Sequence, residues 1–156
     1  MLSRTLALLA AVAALVLVGC GGSQLSKDEY IKELNSVGKV LNTSFSSIGE
    51  GIGNTKDTKV LGDKFTEAGK VLRDASKRVA DLSPPDDAKS ANAKLADGLG
   101  KMATAFDDVA KAAKDSGDNP TALLPKVTAL TNSDGIKMVN DAITELSGKG
   151  YNVKQQ

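Results

Sequence analysis

Residues 61–82, LGDKFTEAGKVLRDASKRVADL, decide the fold. Leu61, Phe65, Ala68, Leu72, Ala75, Val79 and Leu82 follow one another at alternating steps of four and three residues. That spacing draws one stripe along an α-helix and marks the seam of a helix packed lengthwise against partners at a shallow angle. Ser83-Pro84-Pro85 closes the segment, because the residue before a proline avoids the helical region.

The same reading extends upstream. Ser26-Lys27-Asp28-Glu29 is a helix start, with Ser26 as N-cap and Glu29 as the reciprocal partner of a capping box. Asp28 and Glu29 also complement the positive end of the helix dipole. Tyr30, Leu34, Val37, Leu41, Phe45, Ile48 and Ile52 then share one face. Gly49, Gly51 and Gly53 each weaken a helix by about 1 kcal/mol relative to Ala. They predict a stop near Ile48 and a loop over 49–57, with Asp57 or Thr58 opening the next helix.

Downstream, Asp86 and Asp87 fit the first turn of a third helix. Its core face carries Ala88, Ala91, Leu95, Leu99, Met102, Phe106, Val109 and Ala113. Gly98 and Gly100 flank Leu99. Glycine inside a helix costs stability, so the pair predicts close approach of a neighbouring helix; flexibility where a ligand enters is the alternative. Asp115 to Pro120 reads as a turn, with Asn119 as N-cap and Pro120 as first helical residue. Leu123, Val127 and Leu130 share a face, and Pro125 either kinks that helix or marks its true start. The phase breaks over 131–135 and resumes with Ile136, Val139, Ile143 and Leu146, giving two pieces, 121–130 and 135–146. No alternating apolar–polar stretch of useful length occurs. The expectation is an all-α domain over 26–148, a bundle of about four helices, followed by a frayed tail over 149–156.

The N-terminus carries a different signal. Arg4 is followed by residues 5–18, nearly all apolar or small. The run falls short of the ~20 apolar residues of a membrane span and fits the apolar region of a secretory signal peptide. Leu17-Val18-Gly19-Cys20 resembles the lipobox of bacterial lipoproteins, in which an aliphatic residue, a small or branched residue and Gly or Ala precede a Cys. The resemblance implies that Leu17, Val18 and Gly19 are the signal peptidase II recognition residues. It further implies cleavage before Cys20, diacylglycerol on the Cys20 sulfur, and a protein anchored to the outer face of the cell membrane or to the outer membrane. Residues 1–19 would be the signal peptide and 20–25 a flexible tether. One acyl chain holds a protein on a bilayer marginally, whereas two or three hold it stably. As the sole Cys, Cys20 has no internal disulfide partner.

Composition bounds the chemistry. Removing residues 1–19 from 156 leaves 137, enough for one modest domain. Arg4 is the only charged residue among those 19, so the 20 basic and 19 acidic side chains become 19 of each. Near-zero net charge argues against a nucleic-acid partner. With no His in the chain, Ser-His-Asp and Cys-His arrangements, Glu-x-x-His di-metal sites and Cys/His zinc sites are excluded. Asn132, Asp134, Gly135 and Asp141 match part of a calcium-binding loop, but the first ligand position would be Leu130. A helix start at Ser133 or Asp134 accounts for the same residues. Asp107 and Asp108, with Lys111 and Lys114, read as a solvated face of intrahelical ion pairs. No catalytic, metal-binding or cofactor-binding residues are therefore expected.

Three functions follow in descending order. The first is a non-catalytic, lipid-anchored helical module that binds an envelope protein, the cell wall or a small ligand. The second is a carrier of an apolar ligand within the bundle, in a space left by Ala68, Ala75, Ala91, Gly98 and Gly100, although interiors rarely keep voids. The third is a carboxylate-dependent cell-wall hydrolase.

Overall fold

The stripe of residues 61–82 becomes the centre of the molecule. In a computed structural model that describes residues 23–117 and 119–153, the chain forms five α-helices: α1 (Lys27–Gly53), α2 (Thr58–Ala80), α3 (Lys89–Asp115), α4 (Leu124–Thr131) and α5 (Asp134–Gly148). Short 3-10 turns, Asp86–Ala88 and Pro120–Leu123, lead into α3 and α4. No strand occurs among the described residues, and the fold is an all-α bundle. Leu17, Val18, Gly19 and Cys20 lie outside the described residues.

Local chemistry accounts for the helix starts. Ser26 and Glu29 form the reciprocal capping box. Asp57 caps α2 by accepting from the backbone N–H groups of Lys59 and Val60. Asn119 accepts from Thr121 N–H. Pro125 stands in the first turn of α4 and marks its true start.

Tertiary packing moves three boundaries. α1 runs on to Gly53 instead of stopping near Ile48. Ile48 is 2 % exposed, and burying its side chain contributes about 1.5–3 kcal/mol, enough to offset much of the glycine cost. Gln24 and Leu25 are docked rather than free. Leu25 N–H donates to Ser83 O at 2.8 Å, and the Gln24 amide donates to Pro84 O at 3.1 Å and to Asp86 at 3.0 Å. The tail is likewise held through Val153: Tyr151 is 1 % exposed and Val153 packs against the core.

The helices pack in a chain of neighbours. α2 and α3 form the central pair, α1 lies on α2, and α5 and α4 lie on α3. Small residues set the separation along the central seams. A Cβ on Gly62 would come within 3.0 Å of Ala110 O, and one on Gly69 within 3.3 Å of Ala103 O. Where α5 crosses α3 the backbones are closer still. A Cβ on Gly98 would sit 3.0 Å from Gly135 O and Val139 N, and one on Gly135 would sit 2.7 Å from Met102 N. Close approach therefore explains Gly98. Gly100 faces only Ser76 Oγ at 3.4 Å, and nothing at that position requires glycine.

All five aromatic residues are used in two clusters. Phe106 sits 5.6 Å from Phe45 and 6.1 Å from Phe65, joining α3 to α1 and α2. At the other end Tyr30 and Tyr151 meet edge to face at 5.7 Å, an arrangement aromatic pairs favour.

Candidate functional site

α1 and α5 are the outer helices on one side of the central pair, and a cleft of about 350 Å³ runs between them. Leu34, Val37 and Leu41 of α1 form one wall, and Val139, Ile143 and Leu146 of α5 form the other. Val79, Leu95 and Leu99 make the floor, and Val153 adds an apolar contact from the C-terminal segment. Asn42 and Asn140 are the only polar side chains in the lining, both on exposed positions, and no charged residue contributes. Gly38 completes the α1 wall, and a Cβ there would meet nothing within 4 Å.

The cleft follows from where α5 packs: it lies on α3, and its residues 139–146 face residues 34–42 of α1 across the gap. On its other side α1 borders a second groove, of about 360 Å³, in which Asp74 and Arg78 join Val37, Val40 and Val71. Those two charged side chains set it apart from the α1–α5 cleft, whose lining carries none.

A polar lattice fixes the adjoining end of the bundle. Tyr30 O–H donates to Asn92 Oδ1 at 3.0 Å, and the Asn92 amide donates to Val79 O at 3.0 Å. These two bonds tie α1, α3 and α2 together in the interior, where an unpaired polar group would be costly. Tyr151 O–H donates to Asp87 Oδ1 at 2.6 Å, and Lys27 Nζ lies 4.6 Å from the Tyr151 ring centre. Gly150, at φ +77°, adopts the left-handed conformation that turns the chain back after α5. Burial, and then the neighbouring Tyr151, raise the Tyr30 phenol above its ordinary range. Burial, and then the bond to Asp87, push Tyr151 up to about 12. Glu145 receives Lys149 and Lys94 at 2.8 and 2.7 Å, which hold its carboxyl down at about 2.

Several sequence expectations change here. Ala68, Ala75 and Ala91 are buried at 0, 7 and 0 % exposure. Ala68 and Ala91, together with Gly98, close seams, while Ala75 lines the second groove beside α1. Asp107 pairs with Arg73, and Lys114 pairs with Asp63 at 3.0 Å. The ion pairs of that face thus join α2 to α3, where intrahelical pairs were expected. Asn132 caps the end of α4, while Asp134 and Gly135 belong to the first turn of α5, so the partial calcium motif is a helix junction. Among the described residues, no group of three or more His, Cys, Asp or Glu side chains could hold a metal ion. Nor is any described helix long and apolar enough to cross a membrane. The cleft itself escaped the sequence reading. Its one available signal was Gly38, inside the otherwise large apolar face of α1.

The fold and site together define an α-helical bundle with an uncharged apolar cleft between its outer helices. No family model, curated protein or solved structure matches the chain.

Proposed function

We propose that this chain is a non-catalytic, lipid-anchored module on the outer side of a bacterial membrane that holds an apolar small ligand in the α1–α5 cleft. The cleft carries the reading. At about 350 Å³ it falls within the range of small-molecule sites, about 300–1,000 Å³, and it pairs an apolar lining with a few polar groups as such sites do. The anchor rests on Leu17-Val18-Gly19-Cys20. The docking of Gln24 and Leu25 on the Ser83–Asp86 loop gives it a geometric consequence. Only the four chain steps from Cys20 to Gln24 separate lipid from domain, a reach of at most about 14 Å, so this end of the bundle would lie next to the bilayer.

The test uses the full chain expressed in a bacterium and purified from membranes. Intact mass should correspond to a chain starting at Cys20 with added diacylglycerol; an unmodified chain starting at Met1 would remove the anchor. Organic extraction should release a non-covalent apolar species from the wild type and not from Gly38→Leu, whose new side chain enters the cleft. Equal extracts from the two proteins would remove the carrier function.

A further inference from the structure

We infer that the ligand is a neutral, single-chain lipid, an alkyl chain ending in an uncharged hydrogen-bonding head such as an ester or alcohol. The inference rests on the reading of the cleft as a binding site and specifies what that site selects.

Shape comes first. From Leu34 to Asn42 the α1 wall rises over eight residue steps, about 12 Å, and Val139 to Leu146 adds about 10 Å on the α5 side. The site is a trough rather than a bowl. A partner helix, about 10 Å across with its side chains, would occupy about 900 Å³ over that length, far more than the 350 Å³ present. An extended alkyl chain, about 4 Å across at carbon contact distance, occupies about 150 Å³ over the same length and leaves room for a head group.

Charge comes second. The lining contains no Lys, Arg, Asp or Glu. A carboxylate or phosphate at the rim would lose part of its hydration with no cation in the lining to replace it. Neutral heads avoid that cost. Asn42 on α1 and Asn140 on α5 stand on opposite walls, and each amide offers two donors and one acceptor group. Two amides can therefore satisfy a carbonyl or hydroxyl at the rim while the chain lies on Leu34, Val37, Leu95 and Leu99.

The experiment reconstitutes the full chain in phosphatidylcholine vesicles with trace photoactivatable lauroyl monoacylglycerol or photoactivatable laurate, which differ in head charge. Cross-links are mapped by peptide mass. The neutral probe should label peptides 34–42 and 139–146 about tenfold more than laurate at pH 8, the modest ratio expected for a charge held at a partly wet rim. Gly38→Leu should abolish labelling of both peptides. The paired variant Asn42→Asp with Asn140→Asp, at exposed positions that leave the fold intact, should lower neutral labelling several-fold. Equal labelling by both probes, blocked by Gly38→Leu, would overturn neutral selection and leave the carrier reading standing. Labelling of neither peptide above the Gly38→Leu background would overturn both.

Discussion

The α3–α5 crossing and the α1–α5 cleft use the same outer helix in opposite ways. At the crossing, Gly98 and Gly135 bring two backbones so close that a single added Cβ would fall within 3.0 Å of main-chain atoms. About two turns along α5 from Gly135, Ile143 lines the open cleft that faces α1. Glycine at a helix contact lets backbones touch, and large aliphatic residues facing a helix that cannot reach them leave a trough. A bundle that draws α5 hard onto α3 gives up its contact with α1.

This contrast can be broken at several points. The largest effect is expected from Tyr151→Ala, which empties a fully buried aromatic site at the end of the cleft. Aromatic-to-alanine changes in cores cost about 3–5 kcal/mol, so the urea midpoint should drop sharply and Val153 should lose its place. Retention of the wild-type midpoint would mean that the C-terminal segment does not close the bundle.

Next comes a pair of neighbours with opposite signs. Gly98→Ala should destabilise by about 1–3 kcal/mol, because backbone on both sides must give way. Gly100→Ala should be neutral or stabilising by up to about 1 kcal/mol, since only Ser76 Oγ is near. Equal effects on thermal unfolding would show that the α3–α5 crossing has room for a side chain. Gly38→Leu, on the open side, should raise stability by about 0.5–1 kcal/mol through helix propensity. A loss there would mean that the cleft is filled by protein.

Two pH effects complete the series. Folding raises the Tyr151 pKa to about 12 from an ordinary value of 10, so the folded state holds the phenolic proton more tightly. That stabilisation is complete below pH 10 and is lost as pH climbs toward 12. The urea midpoint should fall over this window, and Tyr151→Phe should fall less steeply. Glu145 titrates in the opposite sense. Its folded pKa of about 2 lies below the ordinary 4.5, so its contribution is present above pH 4.5 and fades as pH drops toward 2. Glu145→Gln should flatten that acid limb slightly, the smallest effect of the set because the carboxyl stands on the surface. An unchanged acid limb would mean that Lys94 and Lys149 do not hold it.

Much of the fold was legible because it depends on neighbours in sequence. The capping box of Ser26 and Glu29, the Asp57 cap, the break at Pro84-Pro85 and the restart at Asn119-Pro120 are each written within four residues. The core stripe of α2 needed only its own periodicity. What failed depended on contacts between distant segments. The glycines after Ile48 looked like a loop until the burial of Ile48 was weighed against them, and Tyr151 looked like part of a frayed tail until Tyr30 and Asp87 surrounded it. Gly135 was rightly read as part of a helix start, but its close contact with α3 was not legible, because its nearest neighbours are Gly98 and Met102. The cleft was invisible for the same reason, because it is defined by α1 and α5 packing on the central pair and not on each other.

By itself the sequence determined the helical class, the order and starts of the helices, the absence of histidine chemistry and an N-terminal segment resembling a lipoprotein signal. Periodicity, capping and composition are local properties that a linear string carries. Only the tertiary structure decided which small residues close a seam, where residues 24–25 and 151–153 dock and where apolar side chains are left facing one another across a gap. Those outcomes turn on how closely separate backbones can approach, a quantity set by every residue along a contact at once.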